Sequence, residues 1–496
     1  MPLVSVWHDA HPRHPAAPPG IDGHFDVVVV GGGLTGVTTS LLLGRAGKSV
    51  LLLEARHLGA GTTGGSTAKV SLLQGTQLSR ISRRHSLEVV GQYVAANKEA
   101  QSWLARFCDD HEVHTQVRPA YTYATTRRGA ALAEREHNVA ASAGLPVSWV
   151  TESELPFPID GAVRLPDQLQ VDPLDLLEAL SLEAAAHGVL IVEGARVRKV
   201  SGRSPCRIET QTGTVTADTV VVATNLPILD RGGYFARLKP TRSYGLAYRT
   251  PEPAVTGMYL SSDRTTRTLR DGLRADGAML VVGGEGHTTG RGGTTSVRLD
   301  TLRAWTAEHF PAASETHAWS AQDYVPAHSL PVVGPLLPGR DEIVVAGGFS
   351  KWGLTNGVAA ALALSSRLLG GRTDWADAMA AWSRHELSGL PTGAWVNAEV
   401  GLEMTRGWLE PLLNRGVGPA PAEGDGVVGY DRLGTPTAVS TLGGVERRVS
   451  AVCTHLGGIV RWNDAEASWD CPLHGSRFAP DGSVLEGPAT CALGER

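Results

Sequence analysis

Cysteine is scarce in this chain: five residues among 496 (Cys108, Cys206, Cys453, Cys471 and Cys491), without dense or regular spacing. A fold stapled by disulfides is therefore not expected. Long apolar runs are missing too. The longest uncharged stretch, Val27 to Gly44, has 18 residues, near the minimum for a membrane span. Gly31, Gly32, Gly33 and Gly36 interrupt it, so it reads as strand, turn and helix. Residues 1–24 hold prolines and histidines but no apolar stretch, so no secretory leader is expected. Charged residues are only 19%, and the net charge is −5, which argues against nucleic acid or a membrane surface as partner. Glycine is plentiful, at 59 residues without a collagen period, and 42% of the chain is apolar, enough for a sizeable core. At ~150 residues per domain the length suggests about three domains, and the expected setting is the cytoplasm.

The ordered chain is expected to begin at Phe25. Val27–Val30 is a β-branched run suited to a strand buried on both faces. The pattern predicts a helix over about 34–46, a strand over 50–53, and helices over about 86–108 and 129–143. Asp172 caps and Pro173 opens another helix that stops at Gly188. Strands follow at 189–192, 195–200, 207–210 and 219–223. Residues 240–300 read as strand-rich, with a Gly/Thr-heavy loop from Gly283 to Thr295. A buried strand at 343–346 and a helix over 355–369 precede a Pro/Gly-rich stretch with linker chemistry. Short strands and turns complete the chain.

Gly31-Gly32-Gly33-Leu34-Thr35-Gly36 fits G-x-G-x-x-G directly after a strand and opens a helix. The first glycine permits the tight turn, the second lets backbone approach a pyrophosphate, and the third lets helix pack on strand. Bare N–H groups at the helix start then meet phosphates. Glu54 ends the next strand, where a carboxylate can accept from ribose hydroxyls. Strand, motif, helix, strand and acid together mark a dinucleotide site, for FAD or NAD. Two further segments favour FAD. Val220–Asn225 resembles the returning strand and turn of two-dinucleotide-fold flavoproteins, and Gly347–Gly357 precedes a helix whose positive end suits the flavin N1/O2 edge.

Asp26–Gly36, Leu52–Ala55, Gly61–Val70, Trp319–Tyr324 and Gly348–Gly357 resemble FAD-dependent oxidoreductases of the D-amino-acid-oxidase/glycine-oxidase superfamily. The most similar branch carries a C-terminal Rieske domain, and the resemblance covers roughly residues 25–496. It implies an α/β two-dinucleotide-binding (Rossmann-like) flavoprotein fold with an inserted α+β substrate domain, plus a C-terminal all-β Rieske domain. The expected divisions are an arm over 1–24 and an FAD-dependent oxidoreductase domain over 25–388, then a linker over 389–425 and the Rieske domain over 426–496. Within 25–388, the parts near 25–85, 171–238 and 330–388 would bind FAD, and those near 86–170 and 239–329 would face substrate. FAD is expected at Gly31, Gly33, Leu34, Thr35, Gly36, Glu54, Thr62, Thr63, Val197, Thr224, Gly353, Leu354 and Thr355. His328 stands where the family pattern predicts an acid.

Cys453-Thr454-His455, then 15 residues, then Cys471-Pro472-Leu473-His474 is the second signal. Two such loops present two thiolates and two imidazoles to a common point. A Rieske [2Fe–2S] centre gives one iron two Cys and the other two His, here Cys453 with Cys471 and His455 with His474. Structural zinc also accepts Cys₂His₂, but its ligands usually come as C-x₂₋₄-C and H-x₃₋₅-H pairs. Gly487-Pro488-Ala489 resembles the Rieske covering loop, and Ser476 is placed to hydrogen-bond a cluster sulfur. Phe478 replaces the tyrosine of high-potential relatives, and Gly458 and Leu473 replace their inter-loop disulfide.

His8, His11 and His14 read as a solvated arm, and Cys108, His111 and His114 as surface residues. FAD accepts two electrons and a [2Fe–2S] centre passes one at a time, so their union suggests a converter. An amine or amino acid, by resemblance, would give hydride to FAD, and single electrons would pass through the cluster to an external acceptor. The partner protein is expected to be an electron acceptor or donor, with the reverse flow, from partner through cluster to flavin, left open. An O₂-using oxidase with a structural cluster is the alternative, as is a redox carrier or sensor without its own organic substrate. Lys351 is the candidate to hold a water or a substrate carboxylate. Tyr244 shares a strand face with Arg242 and Tyr248, a face that lines the substrate side or packs against helices. Rieske potentials span about −150 to +300 mV, and without the tyrosine donor the value is expected below the top of that range. A redox titration giving about +300 mV would overturn this reading.

Overall fold

The computed structural model describes residues 3–12, 20–272, 277–413 and 420–496. Val27–Val30 lies at the centre of a sheet, with each of its four side chains no more than 4% exposed. The strand His24–Val30 pairs in parallel with Val50–Leu53 on one side and Thr214–Asn225 on the other. Leu190–Val192 extends one flank in parallel and Arg340–Gly347 the other, with Val332–Leu337 antiparallel at the edge. The chain leaves the central strand first to one side and later returns to the other. That reversal opens a crevice at the strands' carboxyl ends, where α/β sheets bind ligands. The helices Leu34–Arg45 and Gly353–Leu368 pack on each other beside it.

A second sheet is built from the intervening segments. Its order runs from Ser314–Pro326 through Leu238–Thr250, Ala278–Thr288, Arg267–Gly272, Met258–Ser261, Thr115–Ala124 and Gly161–Val171 to Lys69–Val70. Beyond residue 426 the chain forms two small antiparallel sheets, one of Gly426–Tyr430, Pro436–Leu442 and Val445–Ser450. The other holds Arg461–Asn463, Ser468–Asp470, Arg477–Phe478 and Val484–Glu486. Their shared core is centred on Trp469 and Phe478, both fully buried. Among the described residues no helix is long and apolar enough to cross a membrane.

Three expectations need correction. The arm is not a solvated tail. Val6–Ala10 is a helix capped by Ser5, and Trp7 is 1% exposed. Its indole N–H donates to the Ser66 carbonyl at 2.8 Å, Ser5 Oγ donates to that of Gly64 at 2.7 Å, and the Arg270 guanidinium lies over the Trp7 ring. His11 sits among Asp172, Asp175 and Glu178, nearest Asp175 at 3.1 Å. The buried Val6 and Trp7, with these polar contacts, thus dock a segment whose composition reads as loop. His14 lies outside the described residues.

The Pro/Gly-rich stretch contains a helix, Leu390–Leu413. Pro391 falls in its first turn, where no N–H donor is needed, and Pro411 in its last. Val400 and Met404 pack on the C-terminal core, and the Trp408 indole donates to the Gly457 carbonyl at 3.1 Å. The Gly/Thr-heavy segment begins as strand, since Ala278–Thr288 runs through Gly283, Gly284 and Gly286. A Cβ on Gly283 would stand 2.6 Å from the Thr268 methyl, so close packing rather than turning selects glycine there.

Trp7→Ala is expected to cost about 3–5 kcal/mol, the usual cost of emptying a filled tryptophan site. The measurement is the thermal midpoint of the full chain; an unchanged midpoint would show the arm undocked in solution.

Candidate active site and metal centre

The crevice of the first sheet is one continuous cavity. Gly31, Gly33, Leu34, Thr35, Glu54, Thr62, Thr63, Val197, Thr224, Gly353 and Leu354 all line it. Gly31 adopts φ +113°, and a Cβ there would stand 2.6 Å from the Ala223 carbonyl oxygen. Gly36 is not on the wall but underneath it, where a Cβ would fall 1.9 Å from the Gly31 carbonyl oxygen. The carboxylate of Glu54 accepts from the Gly32 and Arg56 N–H groups at 2.7 and 2.8 Å, which fixes the turn. Thr63 Oγ1 accepts from the Leu34 N–H at 3.1 Å.

Neither the Leu34–Arg45 nor the Gly353–Leu368 helix is capped by its own N-cap residue's side chain, so two positive helix ends reach the same cavity. Thr355 is fully buried in the first turn of the second helix and accepts from Gln74 Nε2 at 3.0 Å. Ahead of that helix, Ser350 and Lys351 both take left-handed backbone (φ +53° and +72°). Asp323, 4% exposed, holds this bend by accepting from the Lys351 backbone N–H, from Tyr324 N at 2.7 Å and from Asn225 Nδ2 at 2.9 Å. Burial raises the pKa of the Asp323 carboxyl, against the pull of those donors.

Residue types suited to phosphates, a carboxylate of the kind that suits a ribose and two helix N-termini in one cavity fit a dinucleotide cofactor. A family model described as FAD dependent oxidoreductase matches residues 26–367. The chain belongs to that family. A second, the Rieske [2Fe-2S] domain, matches residues 420–495, so this FAD-dependent oxidoreductase also carries an iron–sulfur cluster. YhfW of Bacillus subtilis (strain 168), described as a Rieske 2Fe-2S iron-sulfur protein, is 32% identical over 473 residues, which cover 94% of this chain and 92% of YhfW. Glycine oxidase from Geobacillus kaustophilus superposes with a TM-score of 0.59 at 19% identity, covering 71% of this chain and 96% of that one. L-Proline dehydrogenase from P. horikoshii gives 0.58 at 17%, covering 72% and 96%. At those identities the likeness is one of fold.

The C-terminal donors sit on two matching loops. The Cys453 carbonyl accepts from Gly457 N and that of Cys471 from Gly475 N, both at 3.1 Å; the two glycines have φ +74° and +78°. The neighbouring Cys471 thiol lowers the pKa of Cys453. The imidazoles of His455 and His474 cross edge-on, with centroids 5.1 Å apart. His474 Nδ1 is buried without a partner. Among the described residues these four donors do not converge within reach of one ion, although His11, Asp172 and Asp175 do. A sulfur pair set apart from a nitrogen pair fits a two-iron cluster better than one zinc ion. Ser476 Oγ accepts from Ala489 N at 3.0 Å, which leaves its proton free for a cluster sulfur. In place of the absent disulfide, Leu473 lies over Gly458, where a Cβ would stand 2.5 Å from the leucine methyl.

The Rieske domain is seated directly against the FAD cavity. Leu485, Glu486, Gly487 and Thr490 are part of the cavity wall. Tyr324, also on the wall, directs its hydroxyl at the carbonyls of His474 and Gly487, at 3.2 and 3.4 Å. Gln322 Nε2 donates to the Gly475 carbonyl at 2.9 Å. Arg242, 2% exposed, donates to Glu466 at 2.7 and 2.8 Å and to Glu486 at 3.0 Å, and Arg477 joins both carboxylates and Asp470.

Lys351 lines the cavity and its ammonium donates to Ser243 Oγ at 2.5 Å. Tyr244 does not line it. Its ring stacks on His287 at 5.7 Å, and the face that it shares with Arg242 packs against the Ser296–His309 helix and the Rieske domain. Cys108 is buried, its thiol pKa pushed up to about 12 by desolvation. Sequence reasoning assigned no role to Asp323, Tyr324 or Gln322, and to Arg242 only a place on the face that it shares with Tyr244. The first three stood in a segment picked out only by resemblance, and nothing local marks Arg242 as the partner of acids more than 220 residues away.

Gly36→Ala is expected to fold but to retain little FAD, because its Cβ meets a backbone carbonyl that cannot yield. Flavin absorbance per chain is the measurement, and full occupancy would contradict the assignment.

Proposed function

We propose that this FAD-dependent oxidoreductase oxidises an amine or amino acid and hands the electrons, one at a time, through its Rieske cluster to an external acceptor protein. When bound, FAD supplies two-electron acceptance and the cluster one-electron transfer. The observation that carries the proposal is Tyr324: one residue lines the FAD cavity and, through its hydroxyl, hydrogen-bonds the backbone of a cluster ligand, His474. A structural cluster needs no such proximity.

Gly31, Gly33, Leu34, Thr35 and Thr63 would hold the pyrophosphate from the first helix start, with Gly36 allowing the close packing beneath. Glu54 and Val197 would hold the ribose and adenine end, Thr62 and Thr224 the middle, and Gly353 and Leu354 the ring end; Thr355, expected there too, is fully buried and off the cavity wall. Lys351, fixed by Asp323 and Ser243, would orient a substrate carboxylate by charge. Tyr244 has no place in this scheme. The amine assignment is supported by the fold shared with proteins named glycine oxidase and L-proline dehydrogenase. An amine that gives up hydride becomes an imine, which water hydrolyses, so the protein need supply no nucleophile.

The test is anaerobic mixing of holoprotein with a panel of amines and amino acids, followed by absorbance and EPR. The expected result is flavin bleaching together with the EPR signal of the reduced cluster before oxygen is admitted. Bleaching with a silent cluster would overturn the relay, and no bleaching by any donor would overturn the substrate class.

A further inference from the structure

The imidazole edge of the cluster site faces the FAD-binding body rather than solvent. The His455 side chain is 4% exposed and His474 equally buried. Phe235 meets both rings edge-on, at 5.9 and 5.2 Å between centroids. His455 Nε2 lies 2.5 Å from Asp230 Oδ1. Phe235 and Asp230 both belong to the segment between the strand Thr214–Asn225, whose end borders the cavity, and the strand Leu238–Thr250. With Nε2 committed to Asp230, His455 has Nδ1 left for iron, the same atom that His474 leaves buried and unpartnered.

We propose that Asp230 is a positioning residue lent to the cluster by the FAD-binding domain, and that it sets the cluster's reduction potential. The inference rests on reading Cys453, His455, Cys471 and His474 as the cluster ligands. A histidine bound to metal through one nitrogen carries its proton on the other, and a carboxylate accepting that proton fixes the ring and raises the ligand's basicity. The Asp230 charge bears on a histidine whose side chain is almost wholly withdrawn from water, so solvent screens it less than at an open surface. Negative charge beside the ligand favours the oxidised cluster, which carries one more positive charge than the reduced form. Asp230 therefore holds the potential down. Its carboxylate is itself half exposed, so its replacement leaves no buried cavity.

The experiment is a redox titration of full-length holoprotein followed by EPR of the reduced cluster, which counts only molecules that hold a cluster. Asp230→Asn keeps the shape and removes the charge. It is expected to favour reduction by roughly tenfold, on the scale of the smallest effects that outer-ligand partners have on metal affinity or activity, which for one electron is about +59 mV. Asp230→Glu is expected to return most of the shift. Asp218→Asn, an exposed carboxylate paired with His24, is the control and should leave the potential in place. An unchanged or lowered potential in Asp230→Asn, or an equal shift in the control, would overturn the proposal. Wild-type protein lacking iron and acid-labile sulfide would instead remove the ligand reading beneath it.

Discussion

Arg242 joins the two halves of the molecule by a desolvated charge network. It leaves the large sheet of the FAD-dependent domain to meet Glu466 and Glu486 of the Rieske domain, where Arg477 and Asp470 complete the set. Taking such charges out of water costs several kcal/mol per ion unless each finds its partner in good geometry. A displaced Rieske domain would strand them, so the network favours one docked orientation. Burial alone would raise the pKa of Glu466 and Glu486, but Arg242 and Arg477 outweigh it and lower both. Their contribution to stability is therefore complete at neutral pH, and it is lost as the pH falls below the ordinary glutamate range. Every contact from Tyr324 and Gln322 to the cluster loops depends on that fixed pose.

Much of the architecture was legible because it is written in local chemistry. The Val27–Val30 run, the glycine turn and Glu54 lie within 28 residues, and each demands its neighbour's geometry. The Asp172 cap and the two cysteine–histidine loops are similarly self-contained: Asp172 accepts from both Leu174 and Asp175, and each loop closes on its own glycine. What escaped was long-range. Trp7 docks on residues 64–66, Leu390–Leu413 packs on the Rieske core, and Arg242 finds its acids across the domain seam. None of these partners is close in sequence, so composition alone reads the first two as tail and linker.

Tyr244 shows how alternation can be right and its interpretation open. Arg242, Tyr244 and Tyr248 share a strand face as the period of two requires. That face lies against a helix and the Rieske domain and does not line the cavity. The loop that carries Lys351 shows the converse. Two successive non-glycine residues in left-handed backbone are an unfavourable local choice; the buried Asp323, reached from the Ser314–Pro326 strand, makes that choice tenable. It is the kind of local conflict that marks a functional bend.

The leucine lying over Gly458 has a chemical corollary. Respiratory relatives clasp the same two loops with a sulfur–sulfur bond, which an attacking thiolate can open. A hydrocarbon contact has no leaving group. Glutathione or thioredoxin therefore has no bond to attack in this clasp.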